Sequence, residues 1–154
     1  SAPGNARAHH LRGLALQING DSAGALADIE RARADSEYAG SMTVIDLHYG
    51  RALREVGRYD DAIAPLTSYT EREPRDPLGF YELAQTEQII GDRTLDAGLY
   101  AKAEHALITA LTIDPTFADA HRLLALVYRK QGRFDESDLE YAAFERYSGS
   151  VGGR

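Results

Sequence analysis

Apolar residues recur along most of the chain at intervals of three and four positions, the spacing that places them on one face of an α-helix. Leu99, Ala103 and Leu107 are one example, each four residues after the last. No segment alternates apolar and polar residues with the two-residue period of a β-strand. The pattern therefore predicts an all-α fold. The predicted helices lie near residues 5–19, 22–36, 43–56, 59–72, 77–90, 94–113, 118–131 and 134–147.

Four glycines each follow a helical run, and each lies between the two predicted helices of a pair. Gly20, Gly57, Gly91 and Gly132 are separated by 37, 34 and 41 residues. Glycine readily adopts the left-handed conformation in which many helices end, so each glycine marks a predicted helix end. The similar separations indicate an internal repeat of two helices.

Two series of small residues accompany the glycines. One lies seven positions before each glycine, and the other lies in the helix that follows it. Small side chains allow two helix axes to approach closely, so the two series predict where paired helices touch. The series are Gly13, Gly50, Ala84 and Ala125, and then Ala25, Ala62, Ala103 and Ser137.

The fourth repeat carries the fullest motif, with Leu124, Ala125, Tyr128, Gly132 and Phe134 in order. In this pattern the chain resembles the tetratricopeptide repeat family. The resemblance implies a right-handed α-α superhelix of four helix-turn-helix repeats, whose first helices line a concave groove. It places a single domain over 1–154, with repeats at about 6–39, 43–76, 77–117 and 118–151.

Some positions depart from the family pattern. The large residue that opens a repeat is replaced by His9, Asp46 and His121, and Glu87 stands where tyrosine is usual. The first repeat matches least well.

Seven extra residues separate Gly91 from Ala103 in the third repeat. The spacing of four from Leu95 to Leu111 favours a longer sixth predicted helix. The alternative is a projecting loop over 92–98.

The last predicted helix and the tail that follows it raise separate expectations. Residues 134–147 carry more apolar side chains than one partner helix covers, which predicts contact with a missing part of a larger protein or with a second copy of the chain. The Ser- and Gly-rich tail, 148–154, is predicted to be flexible.

Side chains of the first helices that face away from the second helices form a candidate peptide-binding groove. Basic residues predominate in this set, and arginine binds carboxylates through a planar fork, so an acidic or C-terminal peptide is the implied ligand. The alternative is that these arginines are solvated or paired with nearby glutamates. The candidate residues are His10, Leu14, Gln17, His48, Arg51, Arg54, Tyr81, Gln85, Gln88, Arg122, Leu126 and Arg129, with Leu47 and Glu82 beside them.

Net charge and composition narrow the classes of partner. The net charge of -7 argues against general nucleic-acid binding, which requires clustered basic residues. No apolar stretch is long enough to enter a membrane, so we expect a soluble chain, cytoplasmic or periplasmic. The chain begins with Ser1, which favours a piece of a larger protein. Its basic residues are almost all arginine, a bias typical of GC-rich bacterial genomes.

Catalytic motifs are not found in the sequence. The chain has no cysteine, its five histidines lack the spacing of helical metal ligands, and no HExxH, GxSxG or GxxxxGK segment occurs. We therefore expect no enzyme activity, no metal and no cofactor. The expected function is a protein-binding or scaffold module. The alternatives are a docking or regulatory domain of a larger enzyme, which the full-length gene would reveal, and a homo-oligomeric structural module.

Overall fold

A computed structural model describes residues 3–149, and within them the chain forms nine helices and no strand. The prediction of an all-α fold is confirmed. The helices are α1 (Pro3–Ile18), α2 (Ser22–Arg33), α3 (Ser36–Ser41), α4 (Val44–Glu55), α5 (Tyr59–Arg72), α6 (Pro77–Thr94), α7 (Ala97–Ile113), α8 (Ala118–Lys130) and α9 (Phe134–Gly149). The predicted flexible tail reaches into α9 at 148–149, and its remainder, 150–154, lies outside the described residues.

Aspartate side chains begin four of these helices. Each accepts a hydrogen bond from a backbone N–H in the first turn, which would otherwise have no partner inside the helix. The donors lie 2.8 to 3.0 Å from the carboxylate oxygens. These residues are Asp21 before α2, Asp35 before α3, Asp76 before α6 and Asp96 before α7.

Three of the four predicted glycine helix ends are confirmed. Gly20, Gly57 and Gly132 have φ angles of 81°, 82° and 76°. Gly91 is not a helix end, because α6 continues to Thr94 and Leu95 takes the left-handed conformation with φ 58°. A Cβ on Gly91 would lie 3.1 Å from the ring of Tyr100, so this glycine permits close packing of α7 on α6.

The seven extra residues of the third repeat are divided between α6 and α7. α6 extends four residues past its predicted end at 90. α5 begins three residues before Ala62, whereas α7 begins six residues before the equivalent Ala103, so α7 takes the other three. The predicted extension of one helix through Leu95 is therefore wrong, and so is the loop over 92–98. Leu95 ends the first helix of the pair because its left-handed backbone breaks the helical path.

A short helix, α3, was not expected from the sequence. α2 ends at Arg33, whereas its predicted end was 36, because Asp35 caps a new helix through the N–H of Tyr38. α3 contacts α1 and α2, and it brings Tyr38 beside α1.

Packing divides the chain into two compact units, Ser1–Pro74 and Arg75–Arg154. In the first unit α1 pairs with α2, and α4 pairs with α5. The predicted close approaches occur: a Cβ on Gly13 would lie 2.8 Å from Ile29, and one on Gly50 would collide with Leu66. The prediction of one domain with four repeats stays a prediction, because each unit is compact by itself.

In the second unit α6 pairs with α7, and α8 pairs with α9. The predicted small residues are buried, including Ala84 and Ala103 at 0% exposure. Ser137 also donates a hydrogen bond of 2.8 Å to the carbonyl oxygen of Ala125, which ties α9 to α8. The core of this unit consists of Ala84, Tyr100, Ala103, Ala106, Leu107, Ala120, Leu123, Leu124, Val127 and Tyr128.

Candidate peptide-binding groove

The second unit contains an open cavity of about 640 Å³ between α6, α8 and α9, which we call the C-terminal groove. All six candidate residues of this unit line it. Three come from α6 at spacings of four and three residues, and three come from α8 at the same spacings, so each helix presents a single face. The groove is lined by Tyr81, Gln85, Gln88, Arg122, Leu123, Ala125, Leu126, Arg129, Ser137, Asp138 and Tyr141.

The floor of the groove is apolar and its rim is charged. Leu123 is 8% exposed, and Leu126 stands higher at 39%. Arg122 and Arg129 flank Leu126, one turn away on either side. A polypeptide in the groove would meet apolar contacts between two cations.

Both arginines of the groove have only weak partners. Arg122 lies 3.4 Å from Asp119, with both side chains 57% exposed, and its guanidinium is 6.0 Å from the ring centre of Phe144. Arg129 lies 3.9 Å from Asp138, and these side chains are 63% and 76% exposed. Exposed ion pairs of this kind contribute little to stability, so a ligand carboxylate can replace them at small cost.

The first unit has its own cavity of about 530 Å³, which we call the N-terminal cavity. Of the candidate residues in this unit, His10, Leu14 and His48 line it. Gln17, Arg51 and Arg54 are not among its lining residues; Gln17 instead donates a hydrogen bond of 3.1 Å to Glu55. The lining residues are Arg7, His10, Leu11, Leu14, Tyr38, Met42, Val44 and His48.

Two histidines in contact lie among the polar residues of the N-terminal cavity. A hydrogen bond of 2.7 Å joins His10 Nε2 to His48 Nδ1, and His10 Nδ1 lies 2.8 Å from the hydroxyl of Tyr38. Burial lowers the pKa of His48 to about 4, with smaller contributions from the charges of His10 and Arg51. Burial also lowers the pKa of His10. Both imidazoles are therefore neutral at pH 7.

Two residues placed beside the groove by the sequence lie elsewhere. Leu47 is 2% exposed and Glu82 is 4% exposed, so both are buried against their neighbours. Helical spacing shows roughly which side of a helix a residue lies on. It does not separate residues at the rim of a groove from neighbouring residues in the core below it.

Sequence reasoning missed several residues of the two cavities. Tyr38 and Met42 lie between the second and third predicted helices, where the periodicity predicts no helix, although Asp35 three residues before Tyr38 is a capping signal. Asp138 and Tyr141 lie on α9, the second helix of its pair, whereas the family resemblance places only first helices at the groove.

Neither a metal cluster nor a membrane span occurs in the described part of the chain. Over residues 3–149 no group of three or more His, Asp or Glu side chains is placed to hold a metal ion. Within the same residues, no helix combines the length and the apolar character needed to cross a bilayer.

Comparison with known proteins relates these helix pairs to tetratricopeptide repeats. Residues 94–139, which cover α7, α8 and the start of α9, match the profile of the Tetratricopeptide repeat family. The fold is that of a tetratricopeptide repeat protein. No protein with a curated function matches the sequence.

Several solved structures superpose on most of the chain. MamA from Desulfovibrio magneticus RS-1 is 17% identical with a TM-score of 0.79, over 94% of this chain and 76% of that one. TTC0263 from Thermus thermophilus, titled a thermophilic TPR protein, is 20% identical with a TM-score of 0.79, over 90% and 72%. MamA MSR-1 is 20% identical with a TM-score of 0.76, over 98% and 82%. At these identities the likeness establishes the fold.

A tetratricopeptide repeat fold supports a role in protein–protein interaction or as a scaffold. Scaffold proteins built from these repeats generally have no enzyme activity. The partner is decided by side chains on the repeats, which vary on an unchanged fold.

Proposed function

We propose that the chain is a protein-binding module that holds an acidic peptide segment in the C-terminal groove. The observation that carries the proposal is the lining of this groove, where all six candidate residues of the second unit meet around one cavity. Arg122 and Arg129 supply the positive charge, and Tyr81 and Gln85 supply polar groups on the opposite wall. Gln88 also lines the groove, but it is 7% exposed and its Nε2 donates to Asp92.

The spacing of the two arginines specifies the peptide further. Arg122 and Arg129 are seven residues apart on one helix, which places their Cα atoms about 10 Å apart along its axis. A peptide in the polyproline II conformation rises about 3.1 Å per residue with three residues per turn, so acidic residues three positions apart match this distance and lie on one face of the peptide. The exposed face of Leu126 lies between the arginines and suits an apolar residue between the two acidic ones.

Fluorescence anisotropy with labelled eight-residue peptides tests the proposal. A peptide with two glutamates three positions apart and a leucine between them should bind more tightly than one of the same composition with adjacent glutamates. Arg122→Glu and Arg129→Glu should each weaken binding about tenfold or more, because each removes a charge-assisted hydrogen bond and adds a repulsion.

Arg75→Glu is the matched control, since Arg75 is exposed outside the groove and the charge change is the same. This variant should bind as the parent protein does. Arg51→Glu and Arg54→Glu test whether the candidate arginines of the first unit contribute to peptide binding. Equal affinity for all the variants would show that the groove is not the binding surface.

Self-association through α9 is a second candidate, favoured by the exposure of its apolar side chains. Phe134 is 59% exposed, Leu139 is 72% exposed and Tyr141 is 50% exposed, and Ser137 is the residue of this helix that is buried. Large apolar side chains grouped on one helix are typical of a surface that another polypeptide covers. We propose a second copy of the chain as that polypeptide, through residues 134–147.

Sedimentation velocity over a range of protein concentrations tests self-association. The parent chain should shift toward a dimer as its concentration rises, and Leu139→Lys should remain monomeric. Ile18→Lys is the matched control, because Ile18 is also an exposed apolar residue, 87% exposed, but lies at the end of α1. A parent chain that stays monomeric at the highest concentration would contradict this second candidate.

A further inference from the structure

Glu87 occupies a position where the other repeats have large apolar residues. It lies three residues after the small residue Ala84, and the equivalent positions hold Leu16, Leu53 and Tyr128. Leu53 is 0% exposed and Tyr128 is 8% exposed, so this position belongs to the core of a helix pair. Glu87 is 7% exposed, and therefore buries a carboxyl group where the second and fourth repeats bury a large apolar side chain.

A cavity of about 390 Å³ adjoins Glu87 between α6 and α7. Its walls are mostly apolar, with Phe80 and Leu83 on α6 and Ala101 and Ala106 on α7. The volume is at the small end of the range for ligand sites, about 300 to 1,000 Å³, so it suits a single side chain better than a peptide. The other lining residues are Lys102 and His105.

The carboxyl group of Glu87 has an unused hydrogen-bonding atom. Its Oε2 is buried without a hydrogen-bond partner. Burial raises the pKa of Glu87 to about 7, against a smaller opposite effect of Lys102. A buried acceptor that lacks a donor costs free energy, and a positively charged donor in the cavity would remove that cost once the carboxyl group of Glu87 turns toward it.

We propose that this cavity receives an arginine side chain from a partner polypeptide, with the guanidinium against Glu87 and the methylene groups along Phe80 and Leu83. Arginine fits better than lysine because its planar fork offers two N–H groups to one carboxylate and is more weakly hydrated. None of the residues that line this cavity lines the C-terminal groove, so the proposal is independent of peptide binding there.

NMR titration of the full chain with N-acetyl-arginine amide tests the proposal. Citrulline amide, acetylated in the same way, is the matched ligand, because it has nearly the same shape and no charge. The arginine compound should shift the backbone amides around Phe80, Leu83, Glu87 and Ala101, and bind at least about tenfold more tightly than the citrulline compound. Its affinity should rise as the pH increases through 7, because the ionised carboxylate is the binding form.

Three variants of the chain complete the experiment. Glu87→Gln keeps the shape and removes the charge, and Glu87→Leu copies the residue at the same position of the second repeat; both should lose the shifts. Glu145→Gln, an exposed change on α9, should retain them. Equal binding of arginine and citrulline compounds, shifts in another region, or full binding by Glu87→Gln would each overturn the proposal.

Discussion

Leu95 ends α6 in a backbone conformation that leucine disfavours. Its φ of 58° lies in the left-handed region, where a side chain with a Cβ costs about 1–2 kcal/mol. In the other repeats, Gly20, Gly57 and Gly132 occupy the same region just after the first helix of the pair. The side chain of Leu95 is 85% exposed and so gains little from burial in return.

Replacing Leu95 with glycine should therefore stabilise the protein. We expect Leu95→Gly to raise the free energy of unfolding by about 1 kcal/mol, because the steric cost removed exceeds the extra chain entropy of glycine. Chemical denaturation measures the change. Gly57→Ala is the opposite control and should lower the free energy by about 1 kcal/mol. A loss of stability in Leu95→Gly would show that Leu95 makes a stabilising contact.

Polar side chains tie the helices of a pair together at the positions that depart from the family pattern. His9 of α1 lies 3.1 Å from Asp28 of α2, and His121 of α8 lies 2.6 Å from Glu140 of α9. The two histidines hold equivalent places in the first and fourth repeats, and so do their carboxylate partners. Each His–carboxylate hydrogen bond joins the two helices at a position where the family pattern has a large residue.

Asp46 makes the corresponding tie in the second repeat. It is 6% exposed and accepts hydrogen bonds from Arg33 of α2 at 2.9 Å and from Ser68 of α5 at 3.1 Å. Arg72 of α5 lies 3.4 Å from the oxygen that Ser68 contacts. One carboxylate on α4 therefore holds both neighbouring helices.

Removing this carboxylate should loosen three helices at once. Asp46→Ala should lower the free energy of unfolding by about 2 kcal/mol, because hydrogen bonds to a charged acceptor contribute about 1.5–3 kcal/mol. Glu71→Ala removes an exposed carboxylate from α5 and should change it by less than about 0.5 kcal/mol. Denaturation of both variants compares them, and an equal effect would contradict the role given to Asp46.

At the scale of the whole molecule, the two units should respond to pH in opposite directions. Burial lowers the pKa of His48 in the first unit to about 4, from 6.5. As the pH falls from 6.5 to 4, the unfolded chain binds a proton that the folded unit does not, so the first unit loses stability. Burial lowers the pKa of His10 as well, which adds to the same loss.

The second unit contains the opposite case. Burial raises the pKa of Glu87 to about 7, from 4.5. As the pH rises from 4.5 to 7, the unfolded chain releases a proton that the folded unit keeps, so stability falls with rising pH. Acidification over that range therefore stabilises the second unit. The pKa of Asp28 is lowered to about 2, chiefly by its hydrogen bond from Arg12, and its effect falls below this pH window.

Native-state hydrogen exchange of the whole chain can separate the two responses. Between pH 6.5 and 4.5, the opening free energy of amides in α1 and α4 should fall, and that of amides in α6 and α7 should rise, after correction for intrinsic exchange. His48→Gln should flatten the first response alone, and Glu87→Gln the second alone. Parallel changes in both units would contradict the assignment.

The sequence by itself determined the helical class, the pairing of helices and the places where they touch. Periodicity and small residues report local geometry, so the contacts of Gly13, Gly50 and Ser137 follow from their spacing along the chain. The candidate faces of α6 and α8 follow from the same spacing, and all six of their candidate residues line one cavity.

The tertiary structure alone decided which polar groups are buried and what lies beside them. Leu95 carries no sequence signal for a left-handed conformation, and only the structure shows that α6 ends there. In the sequence Glu87 is only a departure from the repeat pattern. The structure shows that it is buried beside an apolar cavity. Burial depends on contacts between residues distant in sequence, and a helical period describes only one helix at a time.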